Sequence, residues 1–381
     1  MKRIYLDYAA TTPVDPRVSK TMEPFLSENF GNTMSLHSFG QEAKIVLEES
    51  REKLAGVINA NPNEIIFTSS ATESNNLALK GSALASKKGH IIISSIEHHC
   101  VVESAKWLAK NGFEITEISV DKFGKVNPED IKKAITEKTI LVSVIHASNE
   151  IGTIQPITEI GKICKEKNVL FHTDASQSFG KILIDVKKMN IDLLTASSHK
   201  IYGPKGAGLL YIREGINIAP LLHGGGQENG LRSSTVNVGA IAGFAAAAEI
   251  YKKEGKKENQ KLIKLRDKLI KELLKIKGSH LNGDPKKRLP NNVNVRFDFV
   301  EGESLVIQLD MHGIACSTGS ACSSATLEPS HVLLATGLKP EQAHGSLRIT
   351  LGRWTTEKDI NYLLKVLPKI VKKIREISPF K

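Results

Sequence analysis

Long apolar runs are missing from this 381-residue sequence. None approaches the roughly 20 residues that cross a bilayer as a helix, so no membrane span is expected. The N-terminus, Met1 to Asp7, also lacks an apolar signal segment, because Asp7 interrupts it early. We therefore read no secretion signal and a cytoplasmic protein. Cysteine is scarce: Cys100, Cys164, Cys316 and Cys322 are the full set, and no two form a C-x-x-C pair. A chain of this size needs no disulfide staples, so free thiols in a reducing compartment are expected. Repeats and low-complexity stretches are absent from the sequence, as is any recognised nucleic-acid motif. The net charge of +11 therefore reads as a lysine-rich surface, and no nucleic-acid partner is expected.

What is present is an α/β pattern. Ile65-Ile66-Phe67, Ile91-Ile92-Ile93, Ile140 to Val144 and Val169-Leu170-Phe171 are apolar runs that suit strands buried on both faces of a parallel sheet. Helical patterns, such as 98–110 and 156–167, lie between them. From about residue 235 a long helical stretch runs to about Lys277, and Asn282-Gly283-Asp284-Pro285 marks a turn. The remainder alternates short strands (Val293 to Phe297, Leu347 to Leu351) with helices. The last helix carries apolar residues from Ile360 to Ile374 at helical spacing, and Pro368 is expected to kink it. Two domains fit this length.

Five short segments carry chemistry. Lys200, in Ser197-Ser198-His199-Lys200, follows a strand at 192–196 and precedes a Gly/Pro turn, which holds its amine in place. A held amine can bind an aldehyde cofactor covalently. Asp174 ends the strand that begins at Val169, where ligands of open α/β sheets bind, and its carboxylate can pair with a cationic ring nitrogen. Ser70 and Glu73 have capping-box spacing, so a helix starts there with free N–H groups and the Thr72 hydroxyl suited to a phosphate. His98, in Glu97-His98-His99, follows a strand and can stack on a ring or shuttle protons. Two adjacent histidines do not converge on one metal ion, and the spacing of His312, Cys316 and Cys322 fits no common zinc pattern. Cys322, in Gly319-Ser320-Ala321-Cys322-Ser323-Ser324, sits among small residues that read as a mobile loop, which exposes its thiol to reaction. Cys100 and Cys164 read as structural, and Cys316 stays open.

Together these segments resemble the cysteine desulfurases of the NifS/IscS type, class V aminotransferases among the fold-type I pyridoxal-phosphate enzymes. The resemblance runs from Tyr5-Leu6-Asp7-Tyr8-Ala9-Ala10-Thr11-Thr12-Pro13 to Leu351-Gly352-Arg353-Trp354-Thr355-Thr356. It includes His146-Ala147-Ser148-Asn149-Glu150-Ile151-Gly152 and Gly224-Gly225-Gly226-Gln227-Glu228. It implies a large domain at 13–256, with a mostly parallel central sheet flanked by helices, that binds pyridoxal 5'-phosphate (PLP). A smaller α+β domain, 1–12 and 257–381, would carry the cysteine loop.

The resemblance also implies residue roles. Lys200 binds the cofactor aldehyde and then acts as the base, which requires its amine to titrate well below the ordinary 10.4 or so. Asp174 faces the ring nitrogen, Gln177 the ring hydroxyl, and His98 stacks on the ring. Ala71, Thr72, Ser197 and His199 hold the phosphate. Thr235 reaches the phosphate of the other subunit, which implies a homodimer. Asn149 and Arg348 hold the substrate carboxylate, and Cys322 accepts the sulfur as a persulfide. L-cysteine is then the substrate and L-alanine the product, with an iron–sulfur scaffold or another sulfur-acceptor protein as partner. A selenocysteine lyase, or another aminotransferase-like enzyme of this fold, is the alternative. Three departures stand out: Ser234 replaces a usual glycine, Thr33-Met34 replace a usual Pro-Ser, and the chain ends at Lys381, earlier than scaffold-docking members. The usual scaffold contact is therefore expected to differ.

Overall fold

The computed structural model describes residues 3–319 and 328–378. Strand β1 (Ile4–Tyr5) leads to helices α1 (Pro16–Met22) and α2 (Ser38–Ala55). Next come β2 (Ile65–Thr68), α3 (Ala71–Ser86), β3 (His90–Ser94), α4 (His99–Lys110), β4 (Glu114–Ile118), α5 (Pro128–Ala134), β5 (Thr139–Ser143) and α6 (Ile157–Glu166). Strands β6 (Leu170–Asp174), β7 (Leu193–Ser197) and β8 (Gly208–Ile212) precede the 36-residue helix α7 (Val238–Leu273). The chain continues with β9 (Ser279–Leu281), β10 (Asn292–Phe297), α8 (Gly302–Met311), β11 (Ile314–Ala315) and β12 (Ser317–Thr318). It closes with α9 (His331–Ala335), α10 (Pro340–His344), β13 (Ser346–Thr350) and α11 (Glu357–Ile377).

Seven strands form the central sheet, in the order β2-β8-β7-β6-β5-β3-β4. Only β8 runs against its neighbours; the other six share one direction. Every residue of β2, β3, β7 and β8 is buried, as expected of strands covered by helices on both faces. One consequence governs the rest of the molecule: β2, β3, β5, β6 and β7 all end at the same edge of the sheet. Turns leaving that edge converge, although they are far apart in sequence.

A second, antiparallel sheet has the order β12-β13-β10-β9. Its buried side chains, Val293, Val295, Leu347 and Ile349, pack with Leu262 and Leu269 of α7 and with Leu363 and Leu367 of α11. Helix α7 serves both sheets, since Ile241, Phe244 and Tyr251 near its start pack with the central sheet's core. Residues 256–257, where the sequence reading puts a domain boundary, lie inside this continuous helix. Helix α11 is one continuous element through Pro368. Proline removes one backbone hydrogen bond there, while Ile360, Leu363, Leu367, Ile370 and Ile374 are buried on both sides of it and hold the two halves. β1 lies parallel to β11, and the N-terminal segment then crosses to the central sheet, where the Thr12 N–H and hydroxyl both donate to the His199 carbonyl.

Candidate active site

The turns at the shared sheet edge line one cavity of about 310 Å³. After β2 come Ser70, Ala71 and Thr72; after β3, Glu97 to Cys100; after β5, Ile145, Asn149 and Glu150. Asp174 ends β6 and is followed by Ser176 and Gln177, while Ser197 ends β7 and is followed by His199 and Lys200. Ala9 and Ala10 enter from the N-terminal segment, and His331 and Arg348 from the small sheet's side. A larger open groove of about 1000 Å³ lies between α8, α10 and α11, bordered by Phe297, Phe299, Glu301, Glu341 and Ile377. None of the expected site residues that the structure describes lines it, whereas most of them line the smaller cavity.

The start of α3 forms one wall. Ser70 caps it, its hydroxyl accepting from the Glu73 N–H at 3.1 Å. The reciprocal half of the expected box does not form. Glu73 instead accepts from the Ser69 N–H at 2.8 Å and pairs with the Arg232 guanidinium at 2.7 Å. A cation and a nearby donor outbid the single Ser70 N–H, because charge-assisted bonds are the stronger ones. A Cβ on Gly208 would lie 2.7 Å from the Ser70 carbonyl carbon, so only glycine lets β8 pass this close beneath the turn. The first N–H groups of α3 have no intrahelical acceptor and open towards the cavity wall.

Lys200 ends a one-turn 3-10 segment, Ser198–Lys200. Its Nζ donates to the carbonyls of Ala9 and Ala10, at 2.6 and 2.7 Å. Burial, with the Arg348 and Lys181 cations, brings the amine down to about 7, against the pull of Asp7 and Asp174. The amine is thus neutral in a large fraction of molecules near neutral pH, as a base or nucleophile requires. Neighbouring His199 is pushed down to about 4 by burial and by three lysines, and its Nδ1 lies 3.1 Å from the Thr11 hydroxyl.

Asp174 is held from both sides. Oδ1 accepts from the Ser176 N–H (2.8 Å) and hydroxyl (2.5 Å), and Oδ2 from the Asn75 amide (2.8 Å). Gln177 is anchored by its amide donating to the Ala9 carbonyl at 2.9 Å. His98 caps α4, with Nδ1 accepting from the Cys100 N–H at 3.2 Å. Burial lowers its titration; Asp174 opposes this, while Lys200 and His99 add to it. Cys100, expected to be structural, lines the cavity; Cys164 is buried in the core. Cys316 is buried beside β12, and burial lifts its thiol to about 12.

Arg348 lies in the middle of β13, opposite Asn294 and Ser317, and is 2% exposed. Nη1 donates to the Asn149 carbonyl at 3.2 Å and Nη2 to Asp7 at 3.0 Å, while Nε has no partner among the described residues. Glu97 and Glu150, both buried, also reach the cavity wall. Burial raises them to about 8 and about 7, so both hold protons in much of the neutral range. Neither was singled out in the sequence, nor were Asn75, Ser176 and His331, and Cys100 was read as structural; for Glu97, Glu150 and Ser176 the available signal was a polar residue soon after a strand end. Among the described residues, one expected residue is not in the cavity. Thr235 is exposed on the segment before α7. Cys322 lies outside the described residues; further along the chain, His331 lines the cavity. There the Ser330 hydroxyl donates to Glu150 and His331 Nε2 lies 2.9 Å from the Glu97 carbonyl.

Primary amine, opposed carboxylate, helix terminus and imidazole surround a cavity at the lower end of small-molecule pocket sizes. Those groups fit an aldehyde cofactor with a ring nitrogen and a phosphate, so fold and site define a PLP-type enzyme. The family described as aminotransferase class V matches residues 4–363. Cysteine desulfurase IscS 1 of Archaeoglobus fulgidus is 55% identical, over 98% of this chain and 98% of that protein. A solved structure titled NIFS-like protein superposes with a TM-score of 0.92 at 41% identity, covering 98% of this chain and all of that one. SspA in complex with cysteine gives 0.84 at 37% identity, covering 93% of this chain and all of that one. The chain belongs to the class V aminotransferases, within their cysteine desulfurase branch, and is a PLP-dependent enzyme.

Proposed function

We propose that this protein converts L-cysteine to L-alanine and takes the sulfur onto Cys322 as a persulfide. The observation that carries the reading is one cavity holding a low-titrating lysine and a buried arginine whose Nε–H has no partner among the described residues. PLP, when bound, supplies an aldehyde for the substrate amine and a ring that draws electrons from Cα. Lys200 holds the cofactor and, as the free amine, takes the Cα proton. Asp174 holds the ring nitrogen's proton in place, Gln177 faces the ring hydroxyl and His98 covers the ring. Ala71, Thr72, Ser197 and His199 hold the phosphate. Arg348 and Asn149 hold the substrate carboxylate. The Cys322 thiolate attacks the substrate sulfur, the carbon–sulfur bond breaks, and a sulfur–sulfur bond forms. In sum, L-cysteine and the Cys322 thiol become L-alanine and the Cys322 persulfide.

The wider setting is part of the proposal. Exposed Thr235, outside its own cavity, and the exposed apolar residues Leu26, Phe30, Met34 and Leu36 support a homodimer. The chain works in the cytoplasm, which suits the free thiols Cys100, Cys164 and Cys316. It passes sulfur to an iron–sulfur scaffold or another acceptor protein. The test is alanine release from L-cysteine by PLP-loaded protein with a reductant. Wild type should release alanine and Cys322→Ala should not. Undiminished release by Cys322→Ala would overturn the persulfide route.

A further inference from the structure

Cys100 sits where three parts of the cavity meet. Its sulfur lies 3.0 Å from His98 Nδ1 and accepts from the Asn75 amide at 3.0 Å. Thr72, beside the start of α3, also reaches the sulfur. The donor directions can be worked out one by one. The Asn75 nitrogen also faces Asp174 Oδ2, and an amide nitrogen only donates, so both of its contacts run outward from Asn75. The sulfur therefore accepts from Asn75 and has its own S–H to give. On the other side, the Cys100 backbone N–H points at Nδ1 of His98, and a backbone N–H only donates. In the neutral ring Nδ1 is then the bare nitrogen, and the proton is on Nε2, which has no partner among the described residues.

We propose that Cys100 is a positioning residue for His98: its thiol and its backbone N–H both close on Nδ1, so the ring carries its proton on Nε2, the nitrogen left to the cavity. This rests on the proposed reading of His98 as the group covering the cofactor ring. Burial lifts the thiol to about 12, so it keeps the hydrogen it donates. The groups that face His98 are Asp174, Lys200 and His99; the first favours the charged ring and the two others, with burial, the neutral one. Asn75 completes a relay from Asp174 through Cys100 to His98. These contacts join Asp174, which would pair with the ring nitrogen, to His98, which would cover the ring.

Neutron diffraction from crystals of the PLP-loaded enzyme at neutral pD tests the assignment in the wild type. Deuterium is expected on His98 Nε2 and not on Nδ1; deuterium on Nδ1 would overturn it. Steady-state alanine release tests the role of the thiol. Cys100→Ala should lower kcat about fivefold, the size of one neutral hydrogen bond, with KM nearly unchanged. Cys100→Ser, which restores a donor, should recover most of that loss. Equal kcat for Cys100→Ala and wild type, or no recovery with serine, would remove the thiol from the scheme. A wild type with deuterium on Nε2 that releases no alanine would refute the desulfurase reading while leaving the tautomer assignment standing.

Discussion

At Lys200 the chemistry depends on where an amine titrates. An amine at about 7 is roughly 10% neutral at pH 6 and roughly 90% neutral at pH 8. Uptake of PLP by cofactor-free protein, followed by absorbance, should therefore quicken across that window and level off above it. A rate still climbing towards pH 10 would mean an ordinary lysine. Lys200→Ala should abolish alanine release and leave the thermal transition in place, since the side chain packs no core. Arg348 makes a different demand. Arg348→Ala should lower kcat/KM for cysteine about 100-fold, mostly through KM, because charge-assisted bonds to a carboxylate are lost. A change confined to kcat would argue that Arg348 does not hold the carboxylate.

Among the elements, α9 is the short helix at His331–Ala335, next to the cavity. Ser330 both caps it, accepting from the Leu333 N–H at 3.2 Å, and donates to buried Glu150. Ser330→Ala removes a cap and a donor to a buried group together. We expect a loss of about 2 kcal/mol in urea unfolding, with slower alanine release. Stability within a few tenths of wild type would show that water replaces the hydroxyl. The elements also show what a linear reading reaches. The strands behind Asp174, His98 and Lys200 were legible because buried parallel strands are apolar runs and the residues after them are small or polar. Asn75 was not legible: one turn into α3, it reads as an ordinary buried helix position. Its meaning comes from Asp174, 99 positions away in the chain. The missing half of the capping box has the same origin, since Arg232 is distant in sequence from Glu73.

For the whole molecule, the unclaimed apolar surface is the main feature. Leu36 is 92% exposed and Leu26 83%, near Phe30 and Met34 in the chain before α2. Light scattering should report twice the chain mass. Phe30→Asp combined with Leu36→Asp should shift the protein towards monomer and weaken PLP retention, because Thr235 of a second copy would be withdrawn. Full retention by a monomer would refute the shared phosphate site. Arg353 ties the two sheets' halves together: it pairs with Asp15 at 2.5 Å and Glu258 at 2.8 Å, and Glu258 accepts from the Tyr202 hydroxyl at 2.8 Å.

By itself the sequence determined the strand pattern and drew attention to Lys200, Asp174 and His98 after strand ends, because each follows from local periodicity or from a short motif. Only the tertiary structure decided what those groups do to one another. The depression of Lys200 needs Arg348 from β13 and burial by Ala9 and Ala10; the bare Nδ1 of His98 needs the start of α4. The physical reason is range. Apolar periodicity is written residue by residue, whereas desolvation and charge act through space, and strand order sets which residues share that space.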